Sequence, residues 1–150
     1  MANVIYGDGC TVGEYSVAES DVIIGDDVKL GHLVVLRTGA RIGNNAIIKD
    51  GVKTEGLCII GENVVIGQNS VICEGSIIND NAIVGPSSVI GYNSAGKNKK
   101  TIVNHGQLIP AGARIESGRV GSPNQLSRDF SRLDMARYFP ISEDDNEEQI

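Results

Sequence analysis

The chain has 150 residues, which is enough for one domain with a hydrophobic core but not for two unrelated domains. It contains 19 glycines, no tryptophan and only 4% aromatic residues, so a core of large rings is excluded and many tight turns are expected. The formal net charge is −6, but five acids fall in residues 143–150 and leave the remainder nearly neutral. A basic surface of the kind that binds nucleic acid is therefore not expected.

The first residues, MANVIYGDGC, lack a charged segment followed by an apolar run, and no run in the sequence approaches the roughly 18 apolar residues that cross a membrane. We therefore expect a soluble, cytoplasmic protein with no membrane partner. The three cysteines, Cys10, Cys58 and Cys73, are odd in number and lack paired metal-binding spacing. Neither a disulfide framework nor a cysteine zinc site is expected.

One residue, in most cases aliphatic, recurs every six positions from Tyr6 to Ile90 without interruption, and we expect its side chain to face inward. Four places after each of these comes a small or β-branched residue. Cys10 and Cys58 occupy two of those places, which predicts that both pack in the core. Each six-residue unit, with one aliphatic residue, one turn and one small residue, corresponds to a short strand and a corner. Such a unit is too small to fold alone. The sequence therefore predicts a stack of many such units.

The repeat stops after Ser94, and the rest of the sequence predicts three further parts. Residues at about 95–101 are rich in glycine and lysine, which predicts an external loop. Regularly spaced apolar residues return at 108–115 but no longer fall on the six-residue count of the repeat, which predicts a last irregular coil. Residues 122–140 begin with Ser-Pro, place apolar residues on one face and end at proline, which predicts an α-helix folded back on the stack. The acidic residues 141–150 are predicted to be a disordered tail.

The hexad resembles that of the hexapeptide-repeat superfamily, whose chains wind as left-handed parallel β-helices with three strands and about 18 residues in each coil. The resemblance covers about residues 6–95. It implies an all-β protein, a left-handed parallel β-helix of hexapeptide repeats over residues 1–121 with a C-terminal α-helix. The handedness comes from the resemblance alone, since crossovers between parallel strands are otherwise right-handed. The resemblance also implies a homotrimer.

Positions 18 apart would stack on the same corner of such a helix, about 4.8 Å from one another. At two corners the residue after the inward aliphatic is glycine with one exception each. At the third corner the same position reads Glu19, Arg37, Glu55, Cys73 and Gly91. Two interpretations are open: a polar ladder that only stabilises an edge, or a ligand site in a cleft between subunits. Cys73 is also a candidate reactive thiol.

Three segments resemble sugar-nucleotide acetyltransferases, which move an acetyl group from coenzyme A to a sugar amine or hydroxyl. They are KLGHLVVLRTGARIGNN at 29–45, CEGSIINDNAIVGPSSVI at 73–90 and KKTIV at 99–103. Those enzymes continue after the last segment with further regular coils that help form the cofactor groove, whereas only a short irregular segment is expected here.

This resemblance implies that His32 is the base that takes the proton of the acceptor. It also implies that Lys97, Lys99 and Lys100 bind the phosphates of a coenzyme A thioester. A plain surface role for His32 and a lysine loop that is merely solvated are the alternatives.

Four other segments resemble γ-class carbonic anhydrases. They are VLR at 35–37, IGNNAIIKDG at 42–51, GQLIPAG at 106–112 and GSP at 121–123. That family holds zinc with three histidines across a subunit interface. The matching positions here are Glu55, Gln68 and Cys73, none of them histidine, so bound zinc is not expected. The resemblance also implies that the third-corner residues line the wall of an active site.

From these resemblances we predict an acyltransferase-like protein that transfers an acetyl or other acyl group from coenzyme A to a small, sugar-type acceptor. His32 is the predicted catalytic residue. The predicted substrate-binding residues are Glu19, Arg37, Glu55, Gln68 and Cys73. The alternatives are a γ-carbonic-anhydrase-like protein without the zinc-binding histidines, and a noncatalytic structural β-helix subunit.

Overall fold

The computed structural model describes residues 4–92 and 101–116. Most of the predicted lysine loop, the predicted helix at 122–140 and the acidic tail at 141–150 lie outside these residues and stay predictions. Within the described part of the chain every regular element is a β-strand. No helix there has the length and hydropathy needed to span a membrane.

The described residues form 18 short strands, which recur every six residues and are distributed in turn over three parallel sheets. The first sheet contains β1 (Ile5–Tyr6), β4 (Ile23–Ile24), β7 (Arg41–Ile42), β10 (Ile59–Ile60), β13 (Ile77–Ile78) and β16 (Ile102–Val103). The second contains β2 (Thr11–Val12), β5 (Lys29–Leu30), β8 (Ile47–Ile48), β11 (Val65–Ile66), β14 (Ile83–Val84) and β17 (Leu108–Ile109). The third contains β3 (Val17–Ala18), β6 (Val35–Leu36), β9 (Lys53–Thr54), β12 (Val71–Ile72), β15 (Val89–Tyr92) and β18 (Arg114–Glu116).

Each strand pairs with the strand one coil further on, and the partners are 18 residues apart, as in Ile5 with Ile23 and Lys53 with Val71. The chain is therefore a triangular parallel β-helix, and the predicted all-β, left-handed hexapeptide architecture is confirmed. The sixth coil pairs at a longer offset, with Ile102 beside Ile77, because the chain makes an excursion between β15 and β16.

The expectation of an irregular last coil is wrong for residues 101–116. Its three strands keep the six-residue spacing and continue all three sheets. The sequence spacing looks out of phase only because Ile77 and Ile102, which pair, are 25 residues apart and not 18. One register shift remains, between Ile90 and Tyr92 where β15 pairs with β18.

The core is a column of aliphatic side chains along the axis of the helix. The second residue of each strand points inward, and Ile24, Ile42 and Ile60 are at most 3% exposed. Burial of one such side chain contributes about 1.5–3 kcal/mol relative to exposure. Cys58 is fully buried at one of the small positions, and the half-buried Cys10 packs against the same core, so the prediction that both are packing residues is confirmed.

Three rows of turns join the sheets, and we name them by the sheet they follow. The first corner comprises residues 7–10, 25–28, 43–46, 61–64, 79–82 and 104–107. The second comprises residues 13–16, 31–34, 49–52, 67–70, 85–88 and 110–113. The third comprises residues 19–22, 37–40, 55–58 and 73–76, and the chain returns to it at Gly91. Each complete corner has a turn residue with positive φ, which is usually Gly, Asn or Asp.

Close approach of successive coils explains the glycines that begin the first two corners. A Cβ added to Gly43 would lie 2.6 Å from the carbonyl carbon of Gly61 and 2.7 Å from the amide nitrogen of Glu62. The fit differs between positions of the turn, because a Cβ on Gly56, the second residue of a third-corner turn, would meet nothing closer than the Thr38 carbonyl oxygen at 3.8 Å. A side chain is therefore excluded at Gly43, the first residue of its turn, but has room at Gly56.

This difference predicts the outcome of a matched pair of substitutions. We expect Gly43→Ala to lower the free energy of unfolding by about 1–3 kcal/mol, because the added methyl group forces two coils apart. We expect Gly56→Ala to change it by less than about 0.5 kcal/mol, since the site has room. Urea denaturation followed by circular dichroism measures both. Equal destabilisation by the two variants would contradict this account of the corners.

Candidate functional site

The third corner gathers the four polar residues that the count by 18 predicts. The pairs Ala18–Leu36, Leu36–Thr54 and Thr54–Ile72 stack the strands that precede them. The backbone N–H of Glu19, Arg37, Glu55 and Cys73 each donates to a carbonyl of the next coil at 2.8–3.0 Å. The prediction of one vertical column is therefore confirmed, with Cys73 at its upper end.

The lower part of the column is a hydrogen-bonded ion pair on the surface. Arg37 Nη1 lies 3.7 Å from Glu19 Oε2, and the two side chains are 55% and 39% exposed. The other oxygen of Glu19 accepts hydrogen bonds from the Thr38 backbone N–H and hydroxyl, each at 3.3 Å. An exposed pair of this kind contributes at most about 1 kcal/mol to stability. The Arg37 guanidinium thus lies beside the Glu19 carboxylate at the lower end of the column.

An open cavity of about 390 Å³ follows this column along the surface. Its lining consists of Glu19, Arg37, Thr38, Glu55, Gly56 and Glu74. Three carboxylates and one guanidinium therefore face a single depression. Carboxylates accept hydrogen bonds from hydroxyl and amine groups, and a guanidinium donates to anionic or carbonyl oxygens. The arrangement suits a small ligand rich in hydroxyl groups.

Cys73 closes the upper end of the column, and its thiol is largely shielded from solvent. The side chain is 8% exposed, and burial, assisted by the negative charge of Glu55, raises the pKa of the thiol to about 11. The neighbouring thiol of Cys58 is held by burial at a pKa of about 12 and donates to the Cys73 carbonyl oxygen at 3.1 Å. Both thiols are therefore protonated at neutral pH, when only a thiolate would attack an acyl group.

His32 lies on the second corner, away from the column of its own chain. Its Nδ1 accepts a hydrogen bond from the Glu14 backbone N–H at 2.8 Å, so the ring proton is on Nε2. Asp26 and Asp80 make the same contact to the coil below at 2.9 and 2.8 Å. His32 therefore occupies a structural turn position that aspartate usually fills. The sequence contains a signal for this structural role, because Asp and Asn recur directly after the first residue of the turns, which is the position that His32 occupies after Gly31.

The second corner carries a larger cavity, of about 520 Å³, which the sequence reasoning missed. It is lined by side chains and backbone of Lys29, Leu30, Gly31, Ile47, Ile48, Lys49, Asp50, Gln68 and Asn69. The available signal was Lys49, the one residue that replaces glycine at this corner in the first five coils. Gln68 lies here and not beside Glu55 and Cys73, so the three positions that match the zinc ligands of carbonic anhydrases fall on two corners. Among the described residues, no three His, Cys, Asp or Glu side chains could share a metal ion.

The state of the thiols predicts how the cysteines react with iodoacetamide. We expect native Cys58 and Cys73 to stay unmodified at pH 7.5 and to react increasingly as the pH approaches 11, because only the thiolate is alkylated. Folding disfavours both thiolates, so stability is also expected to fall as the pH rises above about 9. Peptide mass spectrometry locates the label, and protein unfolded in urea is the control. Alkylation of native Cys73 at pH 7.5 as fast as in urea would contradict the assignment.

Comparisons with known proteins concern the repeat and the fold. A family model described as Bacterial transferase hexapeptide (six repeats) matches residues 21–56 and 57–92. The chain is similar in structure to a hexapeptide transferase family protein from Anaplasma phagocytophilum, with 20% identity and a TM-score of 0.47, over 78% of this chain and 77% of that chain. It is similar to WeeI from Acinetobacter baumannii AYE, with 19% identity and a TM-score of 0.45, over 79% of this chain and 51% of that one. A search of curated protein sequences gives no match.

A third similar structure is UDP-N-acetylglucosamine O-acyltransferase from Moraxella catarrhalis RH4, with 17% identity and a TM-score of 0.35, over 89% of this chain and 74% of that chain. At these identities the likenesses concern the fold and not the activity. The family model, in contrast, matches residues that form the second to fifth coils, which include Arg37, Glu55 and Cys73 of the column. The unbroken hexad, the three-sheet winding and this match agree that residues 21–92 consist of hexapeptide repeats of the matching family.

Proposed function

We propose that the protein is an acyltransferase that moves an acyl group from a coenzyme A thioester to a small, sugar-type acceptor. The observation that carries the proposal is the third-corner cavity, where three carboxylates and Arg37 meet on a fold whose matching family is one of bacterial transferases. The family match supports the reaction class, and the cavity supports an acceptor with several hydroxyl or amine groups.

In this proposal Glu55 takes the proton of the acceptor, and the other groups of the cavity hold the acceptor in place. Attack on a thioester needs a base beside the reacting hydroxyl or amine. The sequence prediction gives that task to His32, but its Nδ1 is occupied and its Nε2 carries the proton, so the ring is a donor. Glu55 is exposed in the cavity and is acceptor-only when ionised. Arg37, which lies beside Glu19, binds an oxygen of the acceptor.

The donor is proposed to lie above the column, where the excursion of the chain begins and ends. The described residues stop at Tyr92 and resume at Thr101, and a Cβ on Gly91 would lie 3.2 Å from Thr101 Oγ1 and 3.5 Å from Cys73 Cβ. Both ends of the excursion are thus anchored at the third corner. Lys97, Lys99 and Lys100 belong to it, and we propose that they bind the phosphates of coenzyme A.

Two assays test donor binding and transfer. Acetyl-coenzyme A at 100 times its Kd should add about 2.7 kcal/mol to the free energy of unfolding and raise the melting temperature accordingly. Release of free coenzyme A should require an amino- or hydroxyl-bearing sugar. Glu55→Gln should lower the rate by at least about 100-fold, and Glu62→Gln, on the first corner, should not change it. Absence of any thermal shift at millimolar acetyl-coenzyme A would contradict the proposal.

A conservative substitution separates a structural from a catalytic role for His32. His32→Asn keeps a side-chain acceptor for the Glu14 N–H, as Asn44 provides for the Asp26 N–H at 2.8 Å. We expect the melting temperature of this variant to match that of the parent and its transfer rate to stay within about twofold, because the turn contact is retained. A folded His32→Asn protein with a loss of 100-fold or more in kcat would show that the imidazole itself is the base.

A noncatalytic structural subunit is the second candidate. It is favoured by the hydrogen bond that occupies His32 and by the protonated state of Cys73, which together remove two of the reactive groups that the sequence suggests. The third alternative, a relative of γ-class carbonic anhydrases without zinc, predicts no metal by elemental analysis. The homotrimer and the cytoplasmic location also stay predictions.

A further inference from the structure

The two ends of the β-helix differ in how far they expose the core. The lower end is the first coil, residues 4–21, which contains β1, β2 and β3. The inward-facing residues of the sixth coil, Val103 and Ile109, are fully buried. The residues at the same places in the first coil, Tyr6 and Val12, are each 48% exposed. The aliphatic column is therefore closed at its upper end and open to solvent at its lower end.

Exposed apolar side chains are concentrated at this open end. Eight large hydrophobic residues are exposed in the described part of the chain, and the five of them that lie in the first coil are Ile5, Tyr6, Val12, Tyr15 and Val17. A contiguous apolar patch on a protein surface marks a contact with another molecule. The lower end is therefore a candidate interaction surface.

Tyr15 is the most exposed residue of this group and has an unusual backbone conformation. Its side chain is 81% exposed, and its φ of 62° lies in the left-handed region, which bulky residues rarely adopt. The same turn position three coils above holds Asn69, a residue that tolerates this conformation. A strained turn that holds an aromatic ring in the solvent indicates a role in binding.

The charged side chains of the first coil are all acidic. They are Asp8, Glu14, Glu19 and Asp21, and this coil contains no Lys, Arg or His. In the described part of the chain only Glu19 among them is in an ion pair, with Arg37. A second copy placed end to end against this coil would bring like charges together, which is unfavourable. A partner with basic residues beside its apolar residues is complementary instead.

The strand β2 (Thr11–Val12) combines these features. Within the described residues it pairs only with β5, so it is an edge strand of the second sheet. An edge strand offers its backbone N–H and C=O groups to an added extended segment. Asp8 precedes β2 at the first corner, and Glu14 and Tyr15 follow it at the second. This edge thus has an apolar centre with an acidic residue at each end.

We propose that the lower end binds an extended basic segment of another protein, in which apolar residues alternate with Lys or Arg. The backbone of the segment pairs with β2, and its apolar side chains cover Val12 and Tyr15. Its cationic side chains lie beside Asp8 and Glu14. One side of the triangle spans six residues of the chain, so a segment of about six residues matches it. The proposal does not rest on the proposed acyl transfer.

Binding of a synthetic peptide to the full chain tests the stated chemistry. The probe is a fluorescein-labelled peptide of seven residues with alternating Lys and Val, and fluorescence anisotropy follows its binding. We expect saturable binding that weakens as salt is added. One control peptide carries Ser in place of Val, and a second carries Glu in place of Lys. Both should bind at least about tenfold more weakly, because each lacks one of the two kinds of contact.

Two variants place the binding at the lower end. Tyr15→Asn supplies the residue that Asn69 provides on the same corner, so circular dichroism should show a retained fold while peptide binding weakens at least about tenfold. Asp8→Asn/Glu14→Gln should weaken binding about two- to tenfold at low salt. The matched control, Glu62→Gln/Asp80→Asn, removes the same number of charges from the coils above and should bind as the parent does.

Nitration of Tyr15 by tetranitromethane, located by peptide mass spectrometry, identifies what covers this end. Tyr15 of the free parent should react readily, and the Lys-Val peptide should protect it. A Tyr15 that is already protected in the free parent, or a molar mass that halves in Tyr15→Asn, would assign the surface to this chain or to a second copy and overturn the proposal. Equal binding of the Lys-Val and Lys-Ser peptides, equal binding by Tyr15→Asn and the parent, or no binding at about 1 mM peptide would also overturn it. None of these measurements involves coenzyme A, so they are separate from a failure of the proposed activity.

Discussion

The hydrogen bonds between successive coils are the constraint on which the rest of this structure depends. An amide such as that of Glu55 donates to Ile72 of the next coil at 2.8 Å, and the pairing repeats at a spacing of 18 residues through the first five coils. Because the register is fixed, a residue type that recurs at this spacing becomes a column on one edge of the prism. The chemistry of each corner is therefore set by residues that are far apart in sequence but only about 4.8 Å apart in space.

The distance between coils also decides which turn positions tolerate a side chain. At the first corner the backbone of one coil lies so close to the next that glycine is needed at positions such as Gly43. The third corner instead carries Glu19, Arg37, Glu55 and Cys73 at the corresponding position. Lys49 breaks the pattern at the second corner and lines the other large cavity. The two cavities thus coincide with the departures from the glycine rule.

The fold and the polar column of the third corner could be predicted from the sequence because both depend only on the six-residue repeat. The hexad gives the strands, and counting by 18 gives the alignment of Glu19, Arg37, Glu55 and Cys73. The role of His32 could not be predicted in this way, since it depends on which backbone N–H of the coil below lies within reach of Nδ1. The pKa of Cys73 likewise depends on burial beneath Gly91 and on the carboxylate below it, neither of which appears in a spacing pattern.

The excursion between β15 and β16 has a consequence for how this architecture can be altered. Ile77 pairs with Ile102, 25 positions away instead of 18, and yet all three sheets continue without a change of face. The connection between β15 and β16 therefore accommodates extra sequence without a change of register, while a single residue added inside a strand would turn the aliphatic residues above it outward. A foreign peptide spliced into this connection would be attached beside Gly91, Thr101 and Cys73 at the upper end of the polar column, which makes it a natural attachment point for engineered specificity.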